Sequence, residues 1–191
     1  KEGHEEGANW LKKLSTSKPD STWSFRAGLK CVDIQHRQGK IDGAQALLSD
    51  LMERGRELDL SLRLEVQMSV GQQAVFMDDH AKASEAYESV MKASDAYPAI
   101  KAKATIELGK ALKAHDPSRA ADVFLQFYYL FPTDEKSQVA LFESCRLRAR
   151  LLKNWPAQER QLKVNELQLL VSKLKNQKER RDLNAYISGL L

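Results

Sequence analysis

The chain has 191 residues, 42% hydrophobic and 29% charged, with 9 Gly, 5 Pro and 2 Cys. That balance excludes collagen-like, mucin-like and disordered chains, because enough apolar surface is present to offset chain entropy. No apolar run reaches the 18 or more residues that a membrane-crossing helix needs, and a net charge of +4 is too small to imply a nucleic-acid partner by itself.

The scarcity of Gly and Pro predicts long helices rather than hairpins of strands. Cys31 and Cys145 fit neither a disulfide framework nor a zinc pattern. Both are expected as small buried hydrophobes on the apolar side of a helix, too far apart in a stacked array to be bridged. The chain opens on Lys1 rather than Met, which leaves room upstream for a signal peptide, lipid anchor or transit peptide.

In chain order, residues 1–23 read as a lead-in or partial repeat, with Ala8 as the small residue of a second helix. Residues 24–132 carry internal repetition. Phe25–Leu51 has the turn Arg37-Gln38-Gly39-Lys40, then Ala44 and Leu48. Met68–Val90 has Val70-Gly71, Ala74, the turn Asp78-Asp79-His80, then Ala83 and Tyr87. Ile106–Tyr128 has Leu108-Gly109, Leu112, the turn His115-Asp116-Pro117-Ser118, then Ala121 and Leu125. Tyr97-Pro98 and Phe131-Pro132 close the second and third units. Each reads as two helices packed through small residues, since a Gly inside a helix costs about 1 kcal/mol relative to Ala and needs a packing reason. Tyr87 and Leu125 are expected to fill the space between one hairpin and the next. Asp79 and Asp116 are placed as N-caps, with Pro117 in the first turn. The proposed anchors Ala8, Ala44, Ala83 and Ala121 are 36, 39 and 38 residues apart.

These residues resemble the tetratricopeptide repeat family, whose unit is a helix–turn–helix of about 34 residues. Cys31 and Val32 depart from the pattern, standing where Leu-Gly is expected. The longer spacing and the Tyr-Pro and Phe-Pro ends are similar to repeats of bacterial envelope proteins of the outer-membrane assembly lipoprotein class. That likeness implies a cell-envelope or periplasmic setting and leaves the cytoplasm open.

Residues 133–191 are expected to form a degenerate repeat and a cap. The predicted helices are about Glu135–Leu152, with Val139, Phe142, Cys145 and Ala149 on one face; Ala157–Lys175, with Leu162, Leu169 and Leu170 apolar; and Lys178–Leu190, with Leu183, Tyr186, Ile187 and Leu190. Arg146 stands at a position that is small in the family. The predicted fold class is all-α, a right-handed superhelical stack of antiparallel helix hairpins with C-terminal capping helices.

The resemblance implies a concave groove lined by first helices, with Arg26, Leu29, Asp33, Met68, Gln72, Phe76, Ile106 and Lys110 at its positions. Leu29, Met68, Phe76 and Ile106 would make it partly apolar, or else pack inside the superhelix. The carboxylate clamp of chaperone-binding members is not matched, because Leu29, Asp33 and Ser69 stand in its places.

No phosphate loop, dinucleotide fingerprint, zincin or nucleophile-elbow motif occurs. The four histidines, His4, His36, His80 and His115, are dispersed, so no metal and no cofactor is expected. Asp78-Asp79 and Glu5-Glu6 read as caps and solvated charge rather than acid–base pairs. From Arg146 to Arg181 there are eleven basic and three acidic residues, a local +8 against −4 elsewhere. Arg146, Arg150 and Lys153 are expected on one helical face and Arg148 on another. With Trp155 as the one aromatic in that stretch, no nucleic-acid partner is expected. The leading expectation is a non-catalytic scaffold for a protein or peptide. A structural segment of a larger multi-repeat or envelope-assembly protein is the alternative, and an enzyme ranks third.

Overall fold

Polar side chains set where the helices start. Ser21, Asp59, Asp79 and Asp116 each accept a hydrogen bond from the backbone N–H three residues on, at Ser24, Leu62, Lys82 and Arg119, over 2.9–3.1 Å. Each satisfies a donor that the first helical turn leaves without a partner. A computed structural model describes residues 2–17, 21–55 and 59–190, with side chains other than those of 2–8 and 157. The expected role of Ala8 and the pair Glu5-Glu6 therefore lie outside the described side chains, as does His4.

The protein is all-α, with no strand among the described residues. The helices are α1 (Glu2–Ser17), α2 (Thr22–Arg37), α3 (Ile41–Arg54), α4 (Leu60–Phe76), α5 (His80–Lys92), α6 (Pro98–Leu112), α7 (Pro117–Leu130), α8 (Ser137–Leu151), α9 (Ala157–Ser172) and α10 (Gln177–Ser188). Two compact units divide the chain, Lys1–Ala104 and Thr105–Leu191, with the division inside α6.

In the first unit α1 packs on α2, α2 on α3 and α4 on α5, and α4 also meets α2 and α3. Phe25, Val32, Ala44, Leu48, Leu51, Leu62 and Val66 form one buried cluster. The α2–α3 and α4–α5 turns are built alike. Gly39 (φ 72°) and Asp78 (φ 58°) both take the left-handed conformation, each five residues before the buried Ala44 and Ala83. Glycine adopts that conformation freely and aspartate tolerates it.

Counting from each helix start aligns the second helices of three pairs. The fourth residue is Ala44, Ala83 and Ala120; the eighth is Leu48, Tyr87 and Phe124; the eleventh is Leu51, Val90 and Phe127, all buried. This corrects the expected third anchor. Asp116 caps α7 one residue nearer the preceding glycine than Asp79 caps α5, so Ala120 rather than Ala121, and Phe124 rather than Leu125, take the equivalent places. Leu125 is half-buried against the core of the second unit.

The large residues also lie elsewhere than expected. Tyr87 sits inside its own hairpin, its ring 2.5 Å from where a Cβ on Gly71 would be, and the ring of Phe124 lies 2.8 Å from that point on Gly109. The glycines exist to admit these rings. In the α2–α3 pair the sizes are exchanged: Val32 replaces glycine and the smaller Leu48 replaces the aromatic, and both are buried in the same cluster.

In the second unit α7 packs on α8, and α8, α9 and α10 pack on one another. Their core holds Leu141, Cys145, Ala149, Val164, Leu167, Val171, Leu183 and Ile187. The eighth and eleventh residues of α9, Val164 and Leu167, are buried as in the other second helices. Its fourth is Arg160, whose guanidinium donates instead to the carbonyls of Trp155 and Leu190. Several expected apolar positions are solvent-facing. Leu162 is 60% and Leu169 69% exposed, and Val139 and Tyr186 are exposed as well. The apolar face of α9 runs through Val164, Leu167 and Val171, one step around the helix from the expected leucines.

Candidate functional site

The groove positions on α2 recur on α4 at an interval of 39 residues: Arg26 with Glu65, Leu29 with Met68, Asp33 with Gln72. Two of these three pairs touch. Arg26 and Glu65 form a salt bridge at 2.9 Å, with a second guanidinium hydrogen bond at 3.3 Å. The carboxamide of Gln72 donates to Asp33 over 3.2 Å, and Arg37 pairs with the same carboxylate at 2.9 Å. Contacts between equivalent residues, seven positions apart along both helices, require α2 and α4 to lie side by side and to run in the same direction.

A buried polar contact closes one end of this seam. His36 is buried and its Nε2 meets Oε1 of Gln73, while its ring stacks on Phe76 at 4.5 Å between centroids. Phe76 remains 44% exposed. At the other end Tyr97, also exposed, lies in the field of Arg26 and Glu65; burial, then the Glu65 carboxylate, pushes its phenol up, and Arg26 opposes both. The hydrogen bonds and charge of Glu65 in turn raise the Arg26 guanidinium above its ordinary value.

Arg26, Asp33, Gln72 and Phe76 are thus brought together on one face, with their polar groups held by interhelical bonds. Leu29 is half-buried against the core of the first unit and Met68 is buried, so Met68 presents no side chain to solvent. Ile106 and Lys110 belong to the second unit. Ile106 is buried there, and Lys110 pairs with Glu107 at 2.8 Å. For Met68 and Ile106, packing inside the protein is what the structure records. Sequence reasoning missed Glu65, His36, Gln73 and Tyr97. Glu65 was within reach, since it stands one 39-residue interval from Arg26 with the opposite charge.

The three basic-face residues differ in their surroundings. Arg146 pairs with Glu143 at 2.7 Å, and Lys113 holds the same carboxylate at 2.6 Å. Burial alone would raise the Glu143 carboxyl, but hydrogen bonds from Lys113 and Arg146 hold it below the ordinary carboxylate value. Arg150 is exposed on α8, whereas that helix ends at Leu151 and Lys153 lies in a 3-10 turn, Leu152–Asn154, above the Tyr186 ring. Arg148 is paired with Asp122 at 2.5 Å. Folding also brings aromatic rings that the local count missed: Tyr129 lies under Lys173 and Tyr186 under Lys153, while Trp155 lies under Lys163.

Cys31 and Cys145 are both free and buried, and desolvation pushes the Cys145 thiol up to about 12. Among the described residues no group of three or more His, Cys, Asp or Glu is placed to hold a metal. No helix there is long and apolar enough to cross a membrane. No protein-family model matches the chain, and neither does any curated protein or solved structure.

Proposed function

We propose that this chain is a tetratricopeptide-like stack of helical hairpins serving as a non-catalytic scaffold, and that the α2–α4 face receives an extended peptide segment of a protein partner. The observation that carries this is the pair of contacts at one 39-residue interval, Arg26–Glu65 and Asp33–Gln72. Successive first helices that lie parallel, in register, generate the concave face of a helical repeat array. On that face, guanidinium and carboxylate groups already fixed by their neighbours offer hydrogen bonds to a peptide backbone at reduced entropic cost. Exposed Phe76 and Tyr97 supply apolar contact at its two ends.

A peptide-display selection against the chain, followed by calorimetry with the selected peptides, tests this. Binding should fall about tenfold or more in Arg26→Glu and Phe76→Ala and stay unchanged in Lys82→Glu, on α5. Selected peptides indifferent to both groove variants would overturn the assignment. The scaffold is further expected to bind no nucleic acid, because Arg146, Arg148 and Lys163 are each paired with a carboxylate.

A further inference from the structure

A different side of α2 borders a cleft of about 340 Å³ whose walls come from α1, α2 and α3, all in the first unit. At about 30 Å³ for each water-sized group, such a space holds roughly ten non-hydrogen atoms. Its floor includes the apolar Cys31, Ile34 and Leu47 beside the polar Ser15, Thr16 and Gln35. Its rim carries two exposed ammonium groups, Lys12 and Lys40, neither of which has an acidic partner among the described residues. Among the described side chains no Asp or Glu lines the cleft. The Lys12 charge reaches the floor, since it acts on the Cys31 thiol against the burial that raises it. Asn9 and Gln38, both exposed on the rim, add carboxamide N–H donors.

We propose that this cleft binds a medium-chain carboxylate, its chain on Cys31, Ile34 and Leu47 and its carboxylate held by Lys12 and Lys40. The apolar part of the floor alone would accept any short hydrocarbon. Two cations, with no anion among the described lining side chains, select the negatively charged one, through hydrogen bonds strengthened by charge on both sides. The size of the cleft matches an eight-carbon acid better than acetate or inorganic phosphate, neither of which would cover the floor. The site is independent of the peptide face, which uses Arg26, Asp33, Gln72 and Phe76.

The test is a heteronuclear NMR titration of the full chain with octanoate, alongside acetate, inorganic phosphate and octylammonium. Octanoate should bind saturably at sub-millimolar concentration, moving the amides of Asn9, Gln35 and Gln38. Each of the other three should bind about tenfold more weakly or worse. The double variant Lys12→Gln/Lys40→Gln, with both changes at exposed positions, should lose about tenfold in octanoate affinity and keep the far-ultraviolet circular dichroism of the parent. Phe76→Ala should bind octanoate as the parent does. Absence of saturation by about 5 mM, octylammonium binding equal to octanoate, or an unchanged double variant would each overturn the proposal. Phosphate binding as tightly as octanoate would do so too, by showing a simple anion site.

Discussion

Gly71→Ala isolates the close approach of α4 and α5. A Cβ at residue 71 would lie 2.5 Å from Cε1 of Tyr87 and 2.8 Å from Cδ1 and Cζ, inside any ordinary carbon contact. The ring is only 2% exposed, so it has no solvent to swing into. Overpacking a core in this way costs about 1–3 kcal/mol, and three ring atoms in conflict place it toward the upper end. The alanine recovers about 1 kcal/mol of helix propensity. The expected net loss is about 1–2 kcal/mol, or roughly 0.5–1 M in urea midpoint for an m value near 2 kcal/mol/M. Urea unfolding followed by circular dichroism measures it. The cause is checked by repeating the substitution in a Tyr87→Leu background, which places leucine where Leu48 stands in the α2–α3 pair. There Gly71→Ala should be neutral or stabilising, giving a coupling energy of about 1–3 kcal/mol. A destabilisation that persists unchanged without the ring would refute the close-approach account, as would a Gly71→Ala protein more stable than its parent.

Gly43→Ala should behave oppositely and stabilise by about 0.5–1 kcal/mol in the same assay. Its new methyl meets at 3.2 Å only the carboxamide end of Gln35, which can turn aside. Asp79→Ala and Asp116→Ala should each cost about 1 kcal/mol through loss of the N-cap, and Asn replacements should restore most of it. Glu143→Gln should cost about 1–2 kcal/mol near neutral pH, because two cations lose their carboxylate. The folded carboxyl titrates below its ordinary 4.5, so its contribution is fully present above that pH and is lost as pH falls through the folded value. The gap between parent and variant should therefore narrow in strongly acidic urea titrations and stay constant from pH 6 to 8, where a gap varying with pH would contradict the assignment. A gel shift with single- and double-stranded oligonucleotides at about 0.15 M salt should show no retained complex. Micromolar binding lost in Arg150→Glu/Lys153→Glu would contradict the protein-scaffold assignment.

Much of the fold was legible because helix starts are written in short-range chemistry. The Asp79 and Asp116 caps, Pro117 and the turn at Gly39 involve residues within five positions of one another. What failed was registration over longer distance. Aligning the third hairpin from Gly109 pointed to Ala121 and Leu125, whereas aligning from its cap points to Ala120 and Phe124. A turn shorter by one residue rotates the next helix by about 100°, and no pattern confined to one helix reports that rotation. On α9 the expectation named Leu162, Leu169 and Leu170; Leu170 packs against the core, but Leu162 and Leu169 face solvent and α9 buries Val164, Leu167 and Val171 instead. Part of the candidate site was legible, since the groove positions include Arg26 and Asp33 and their partners stand one interval away. The stacking of Phe76 on His36 depends on how two helices meet side by side, and periodicity within one helix does not encode it.

The exchange of sizes between the hairpins has a consequence for how the chain can be rearranged. With Val32 facing Leu48 in one pair and Gly71 facing Tyr87 in the next, the second helices are not interchangeable parts. Grafting α5 onto α2 would drive a phenol ring into a valine, and grafting α3 onto α4 would leave a void beside a glycine. Each hairpin thus carries its own address. Duplication or deletion of a whole hairpin preserves these matches, whereas a crossover inside one destroys them, so viable recombination points should fall between hairpins, as in the segment around Ala93–Tyr97.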